Sequence, residues 1–343
     1  MAPDVVVLAS GGTLGEAWMS GLLAGIEDAA GHDFRRTESF VGTSAGSLVA
    51  AALVAGQRPR RPARAAGNRE LTSGDAPAGA GVIPDATAKG LSTWLPIPRS
   101  MLLSVAREAA RLAGVAATPL APMALAAGST GSTALRSALL SRAPGTDTSL
   151  RAIHDGVDET GARFDGRLRV VAVDRASGRR VVFGSPGAPE ATVAQAVQAS
   201  CSVPWMFAPV QIDGREYVDG GVWSNTNLDI APVARLTQVL CLNPIASLDI
   251  AMASPFGMLR AIAGSTAALE TLTLRSRGAK VRMIGPAQDI ARVMGPNLMD
   301  PRLRERVLAG GYAQGLQIGG RNGTPGRPAA ARDEGVSGLT GSA

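Results

Sequence analysis

Two strand-turn-helix patterns follow one another in the first 56 residues of the chain. In the first, the apolar run Val5 to Ala9 is typical of a buried strand, and the glycine-rich stretch Ser10 to Gly15 leads into apolar residues at helical spacing. In the second, Phe40 and Val41 precede a glycine-flanked serine and the helix-forming run Ser47 to Gly56. Strands that alternate with helices in this way predict an α/β fold.

The serine of the second pattern lies in a Gly-x-Ser-x-Gly pentapeptide, Gly42-Thr43-Ser44-Ala45-Gly46. Such a pentapeptide also occurs by chance in a glycine-rich chain, so an ordinary turn is one interpretation. The strand before it and the helix after it favour a nucleophile elbow, a tight turn in which Gly42 and Gly46 leave room around a strained Ser44. The helix N-terminus below Ser44 would also favour negative charge.

The glycine-rich stretch after the first strand has three interpretations besides a plain turn. A dinucleotide-binding fingerprint requires glycine where Ser10 stands, and a P-loop requires a lysine that this stretch lacks. An oxyanion loop requires only backbone N–H groups in a concave turn, which Gly11, Gly12 and Thr13 can provide. We favour the oxyanion loop because the predicted elbow follows one strand-helix unit later.

No histidine stands where the usual residue order of a serine hydrolase places the base that activates the nucleophile. His32 precedes Ser44 and His154 is the last histidine, so no histidine follows a late acidic residue. A carboxylate remains: a hairpin predicted around Asp213-Gly214 ends at Asp219, which two glycines follow. Asp219 is either a turn residue that bonds its own backbone or a carboxylate delivered to a site.

Three motifs in this order carry a resemblance to a known family. The segments "SGGTLG", "GTSAGS" and "ASCSVPWMFAPVQIDGREYVDGG", spread over about residues 4–230, resemble the patatin-like phospholipases. The resemblance implies a three-layer α/β/α sandwich with a mainly parallel sheet, and a serine acyl hydrolase that cleaves lipid carboxylic esters. It also implies a Ser44–Asp219 dyad without histidine and an oxyanion hole at Gly11, Gly12 and Thr13. Leu14 and Ser10 stand where the family usually has arginine and glycine.

Other functions are weighed against this prediction. A non-catalytic lipid-binding protein on the same fold and an acyltransferase remain alternatives, and the expected ligand in each case is a lipid ester or phospholipid. The net charge of +6 raises the question of nucleic-acid binding, but aromatic residues make up only 3% of the chain and no nucleic-acid motif is present. We interpret the arginines at positions 58, 60, 61, 64 and 69 as a solvated loop or, at most, a contact with an anionic surface. Two distant cysteines predict neither a disulfide framework nor a metal site, and no cofactor is expected.

The chain is predicted to form one hydrolase domain over residues 1–318, with a mobile insertion at about 57–130 and a disordered tail at 319–343. Within the insertion, residues 100–128 begin with an amphipathic pattern, which indicates either an ordinary packed helix or a lid in peripheral contact with a membrane. No signal peptide or transmembrane helix is predicted, so a cytoplasmic protein is expected. The oligomeric state is not predicted.

Overall fold

The computed structural model of the chain describes residues 2–63, 130–141, 148–246 and 255–322. The predicted insertion and tail therefore lie largely outside the described residues, and the whole of segment 100–128 does. The strands are β1 (Val5–Leu8), β2 (Ser39–Thr43), β3 (Leu168–Asp174), β4 (Arg180–Phe183), β5 (Val210–Ile212), β6 (Arg215–Asp219), β7 (Gln238–Leu242) and β8 (Lys280–Ile284). The helices are α1 (Gly12–Ala30), α2 (Ala45–Val54), α3 (Thr130–Ser141), α4 (Arg151–Asp158), α5 (Val193–Cys201), α6 (Pro255–Ser276), α7 (Gln288–Met294) and α8 (Arg304–Asn322).

All eight strands belong to one sheet, in which the order β5-β6-β3-β2-β1-β7-β8 forms the main path and β4 pairs with β3. The pairs β1–β2, β1–β7, β2–β3 and β7–β8 are parallel, which leaves the antiparallel pairs at one side of the sheet. The hairpin predicted around Asp213-Gly214 is confirmed as β5 and β6, with both turn residues at positive φ.

The core lies on both faces of this sheet. Alternate residues of β1 point to opposite faces, so Val6 and Leu8 join one buried cluster while Val5 and Val7 join another. The larger cluster contains side chains of α1, α2, α4 and α5, and the second contains Leu274 of α6. The mainly parallel sheet with helices on either side confirms the predicted three-layer α/β/α sandwich.

Helix α1, which follows the first strand, is fixed by unusually close packing against α8. A Cβ atom built on Gly21 or Gly25 would lie 2.2 Å from a backbone oxygen of α8, and one on Gly315 would lie 2.2 Å from the oxygen of Leu22. Glycines on both helices therefore let the two backbones approach where larger residues would clash. This packing holds the first turn of α1 in place at the sheet edge.

Two predicted boundaries differ from the structure. Helix α1 already begins at Gly12, so the predicted turn Ser10 to Gly15 is reduced to its first two residues. Helix α8 continues to Asn322, four residues into the predicted tail. In both cases the glycines predict irregular structure, whereas tertiary packing stabilises them in a helix.

The interpretation of the arginine cluster as a solvated loop is wrong for Arg60 and Arg61, whose side chains are only 16% and 9% exposed. Arg60 pairs with Glu16 of α1, and Arg61 bonds both Glu27 and Asp28. These ion pairs tie the segment after α2 to α1 over much of the length of that helix.

No helix in the described ranges combines the length and the apolar character that a membrane span requires.

Candidate active site

The predicted site residues meet at one edge of the sheet because of the strand register. Strands β1 and β2 are parallel neighbours, with Leu8 opposite Gly42, so the loops that follow them leave the sheet side by side. Strand β3 pairs Val171 with Thr43, and antiparallel β6 then places Asp219 opposite Ala172. The antiparallel direction of β6 thus delivers its last residue to the level at which β2 ends.

Ser44 lies at a strained turn between β2 and α2. Its backbone has φ 52° and ψ −123°, a conformation that residues with side chains rarely adopt. A Cβ atom on Gly42 would lie 2.5 Å from Cα of Ser47, and one on Gly46 would lie 2.0 Å from the oxygen of Leu8. Both glycines are therefore required by the tight geometry of this strand-turn-helix segment.

The glycine-rich loop places unpaired backbone donors beside Ser44. The N–H groups of Gly11, Gly12 and Thr13 donate to no acceptor among the residues that the structure describes. Gly12 and Thr13 are the first residues of α1, whose amides have no partner within the helix. Ala45 is likewise the first residue of α2, and it lines the same cavity as the loop. The four amides are available to a negatively charged oxygen.

Leu14 and Ser10 differ from the family pattern, and neither residue places a charge in this loop. Leu14 is fully buried in the core cluster, and its N–H group donates to the oxygen of Leu298. Ser10 donates through both its amide and its hydroxyl to the oxygen of Asn225, at 3.0 and 3.3 Å. Ser10 therefore ties the loop to the segment that follows Asp219.

Asp219 is a buried carboxylate that lines the same cavity as Ser44. It accepts a hydrogen bond of 2.6 Å from the N–H of Gly221. Burial raises the pKa of Asp219 to about 6, although the nearby Ser44 hydroxyl and the Gly221 amide favour the charged form. A carboxylate of this kind is a stronger base toward a serine hydroxyl than an exposed aspartate is.

A cavity of about 610 Å³ opens at this edge. Its lining includes Ser44, Asp219 and the glycine-rich loop. The remaining wall is mainly apolar and includes Leu48, Leu150, Ile153, Val203, Trp205, Met206, Phe207, Leu298 and Met299. Such a cavity suits a ligand with one polar reacting group and a long apolar part.

Neither histidine lines this cavity. His154 bonds the neighbouring Asp155 at the surface of α4. His32 is half-buried against the ring of Phe34, and burial lowers its pKa. Its Nε2 atom has no hydrogen-bond partner among the described residues.

Sequence reasoning missed a buried polar network behind the loop that follows Asp219. Asn227, at φ 47°, donates to Thr43 Oγ1 at 3.1 Å and to the oxygen of Ser224 at 2.7 Å. Glu270 of α6 accepts hydrogen bonds from the Thr226 hydroxyl and, at 2.8 Å, from the Leu228 amide. Burial and the nearby Asp229 raise the pKa of Glu270 to about 7. An acidic residue six positions before the last residue of a helix carries no sequence signal for this role.

The described part of the chain contains no group of three or more histidine, cysteine, aspartate or glutamate residues arranged to hold a metal ion.

The chain is similar to a known protein family and to solved structures. A family model described as patatin-like phospholipase matches residues 6–232. Among solved structures, VipD from Legionella pneumophila is similar, with 17% identity and a TM-score of 0.37 over 92% of this chain and 66% of that chain. The ExoU-SpcU complex from the type III secretion system of Pseudomonas aeruginosa gives 19% identity and a TM-score of 0.32 over 91% of this chain and 52% of that chain.

The chain thus spans just under two thirds and about half of the length of these two similar chains. No curated protein sequence matches it.

Proposed function

The chain belongs to the patatin-like phospholipase family, and we propose that it hydrolyses carboxylic esters of lipids with Ser44 as nucleophile and Asp219 as base. The observation that carries the proposal is that Ser44 and a buried Asp219 line the same cavity, where burial raises the pKa of Asp219 to about 6. Ser44 and Asp219 line a cavity whose wall is mainly apolar, as an acyl chain requires.

In the first half of the reaction, the Ser44 hydroxyl oxygen attacks the ester carbonyl carbon while its proton passes to the Asp219 carboxylate. The amides of Gly11, Gly12, Thr13 and Ala45 stabilise the negative charge that develops on the carbonyl oxygen. Collapse of the tetrahedral intermediate breaks the ester bond, and protonated Asp219 returns the proton to the departing alcohol. The acyl group remains on Ser44.

In the second half, water attacks the acyl-enzyme and gives its proton to Asp219. A second tetrahedral intermediate then releases the fatty acid, and the proton returns to the Ser44 oxygen. An alcohol in place of water would transfer the acyl group instead, so the nature of the acceptor separates a hydrolase from an acyltransferase.

The proposal is tested by incubating the full chain with a fluorophosphonate probe and with a panel of lipid esters. We expect covalent labelling of Ser44 and release of free fatty acid into water. Lipid binding without labelling or turnover would overturn the proposal and indicate a binding protein on the same fold. Acyl products that form only when an alcohol is added would indicate an acyltransferase.

The pH dependence separates the carboxylate from the histidines. Asp219 must be ionised to accept a proton, so we expect kcat/KM to rise with pH through an inflection near 6 and then to level off. The double variant His32→Gln/His154→Gln should keep most of the wild-type activity and the same inflection, because neither histidine lines the cavity. The measurement is kcat/KM from pH 4.5 to 9.0, with circular dichroism to verify folding.

An inflection near pH 6 lies close to the ordinary histidine pKa of about 6.5, so the wild-type profile alone does not identify the group. If the folded double variant lost the inflection or its activity, a histidine and not Asp219 would be the titrating base.

A further inference from the structure

The last turn of α5 contacts the turn that carries Ser44. The amide of Ser44 donates a hydrogen bond of 2.8 Å to Oγ of Ser200. The Ser200 hydroxyl in turn donates to the backbone oxygen of Val171, at 2.6 Å. A serine hydroxyl has a single proton. Because Ser200 donates this proton to Val171, its oxygen lone pairs accept the hydrogen bond from the Ser44 amide. Ser200 is fully buried, and water does not compete for either bond.

The same turn also contacts the strand that delivers Asp219. The amide of Asp219 donates to the backbone oxygen of Ser202 at 2.9 Å. Two residues of one helix end thus bond the backbone of both members of the candidate dyad. Cys201 lies between them and lines the cavity. One rigid helix end therefore sets the spacing between Ser44 and Asp219.

The strained conformation of Ser44 makes this contact important. A residue at φ 52° is maintained only when surrounding contacts determine its conformation, and it relaxes when they are removed. The carbonyl of Ser44 is already held, because it accepts from the amide and the hydroxyl of Ser47 at 2.8 and 2.6 Å. The amide of Ser44 depends on Ser200 alone among the described residues.

We propose that Ser200 is a positioning residue that fixes the backbone of the Ser44 turn and thereby aims the Ser44 hydroxyl at Asp219. The inference rests on the proposed function, since it concerns the same nucleophile and base. Ser200 does not touch the substrate or the reacting atoms in this scheme. It acts by preventing the turn from relaxing to an ordinary backbone conformation, in which Oγ of Ser44 would move away from the carboxylate.

Ser202 provides a matched control in the same helix end. Its side chain is as buried as that of Ser200, but its hydroxyl bonds the oxygen of Gln198, one turn back in α5. That bond is the usual local arrangement of a serine near a helix end. The contact of residue 202 with Asp219 is made by the backbone, so Ser202→Ala preserves it.

The first test compares Ser200→Ala with Ser202→Ala in the full chain. We expect Ser200→Ala to lower the second-order rate constant of fluorophosphonate labelling by about 10- to 100-fold, the effect of a misplaced reacting group. Its kcat should fall by a similar factor while KM stays within about twofold, since the apolar cavity wall is unchanged. The inflection should stay near pH 6 or move higher, because Asp219 remains buried while the Ser44 hydroxyl, which favours its charged form, moves away. Ser202→Ala should match wild type in all three measurements.

A second pair of variants isolates the hydroxyl from the packing. Ser200→Thr and Ser200→Val add side chains of nearly the same shape to the same buried position, so both bear the same steric cost. Only the threonine keeps an oxygen that can accept from Ser44 and donate to Val171. We expect Ser200→Thr to label at least about 10-fold faster than Ser200→Val, and this comparison holds even if Ser200→Ala folds poorly.

The outcomes separate this inference from the proposed function. A wild-type protein that is not labelled would overturn the proposed function and the positioning role together. A labelled wild type with Ser200→Ala at the same rate, or with Ser200→Thr no faster than Ser200→Val, would overturn only the positioning role. Equal losses in Ser200→Ala and Ser202→Ala would also overturn it, since they would indicate a general effect of altering the end of α5.

Discussion

Ser44→Ala is expected to abolish fluorophosphonate labelling and to slow lipid-ester hydrolysis by at least about 10⁴-fold. The reason is chemical, because in the proposed reaction the bond to the acyl group forms at Oγ of Ser44 and no other side chain replaces that atom. Cys201 also lines the cavity, but burial raises the pKa of its thiol and thus keeps it protonated and unreactive. The measurements are gel fluorescence after labelling and fatty-acid release from a lipid ester.

A companion variant verifies that the loss comes from chemistry and not from misfolding. Ser44→Gly should be equally inactive yet more stable than Ser44→Ala by about 1 kcal/mol, because glycine adopts φ 52° without strain. Ser202→Ala, which alters a buried serine whose hydroxyl bonds Gln198, should still be labelled. Labelling that persists in a folded Ser44→Ala protein would place the nucleophile elsewhere.

The sequence predicts best those parts of the fold that are determined by residues adjacent in the chain. The elbow at Ser44 is recognisable because its glycines and the flanking strand and helix are adjacent in the chain. The hairpin that ends at Asp219 is recognisable for a similar reason, since Asp213 and Gly214 favour positive φ. The close approach of Ser44 and Asp219 was predicted only through the family resemblance. The structure explains it by the pairing of β6 with β3.

The features that sequence did not predict depend on partners distant in the chain. Ser200 reads as one serine among several near a helix end, and its contact with Ser44 joins residues 156 positions apart. The sequence pattern predicts that Arg60 and Arg61 are solvated charges, whereas in the structure they form ion pairs with Glu16 and Glu27 of α1. Residue type and local pattern indicate where a side chain could bond, but tertiary packing selects the partner.

Asp219→Asn is expected to reduce kcat by about 10³- to 10⁴-fold while the protein still folds and binds lipid. An amide cannot take the proton of Ser44, so the nucleophile loses its base. The side-chain oxygen of asparagine can still accept from the Gly221 amide, which preserves the local turn. Wild-type turnover in a folded Asp219→Asn protein would show that another group accepts the proton. Single-turnover acylation, measured separately from lipid binding, distinguishes a chemical defect from a binding defect.

The same substitution should stabilise the protein in a pH-dependent way. The folded pKa of Asp219 is raised from 3.8 to about 6, so wild-type folding loses stability as pH rises across this range, where the unfolded carboxylate ionises first. A shift of this size corresponds to about 3 kcal/mol. Asparagine stays neutral, so the variant should match wild type near pH 4 and exceed it in free energy of unfolding by roughly that amount above pH 7.

Urea unfolding of Asp219→Asn and wild type from pH 4 to 8 measures this difference. The matched control is Asp213→Asn, which alters an exposed carboxylate at the turn of the same hairpin, where asparagine tolerates the positive φ of 49°. Asp213→Asn should follow the wild-type pH dependence, because water already solvates that carboxylate. A stability difference for Asp219→Asn that stayed constant with pH would mean that burial does not hold the Asp219 carboxylate in a destabilised charged form. In that case Asp219 would be no stronger a base than an ordinary aspartate, and a dyad without histidine would lack its driving force.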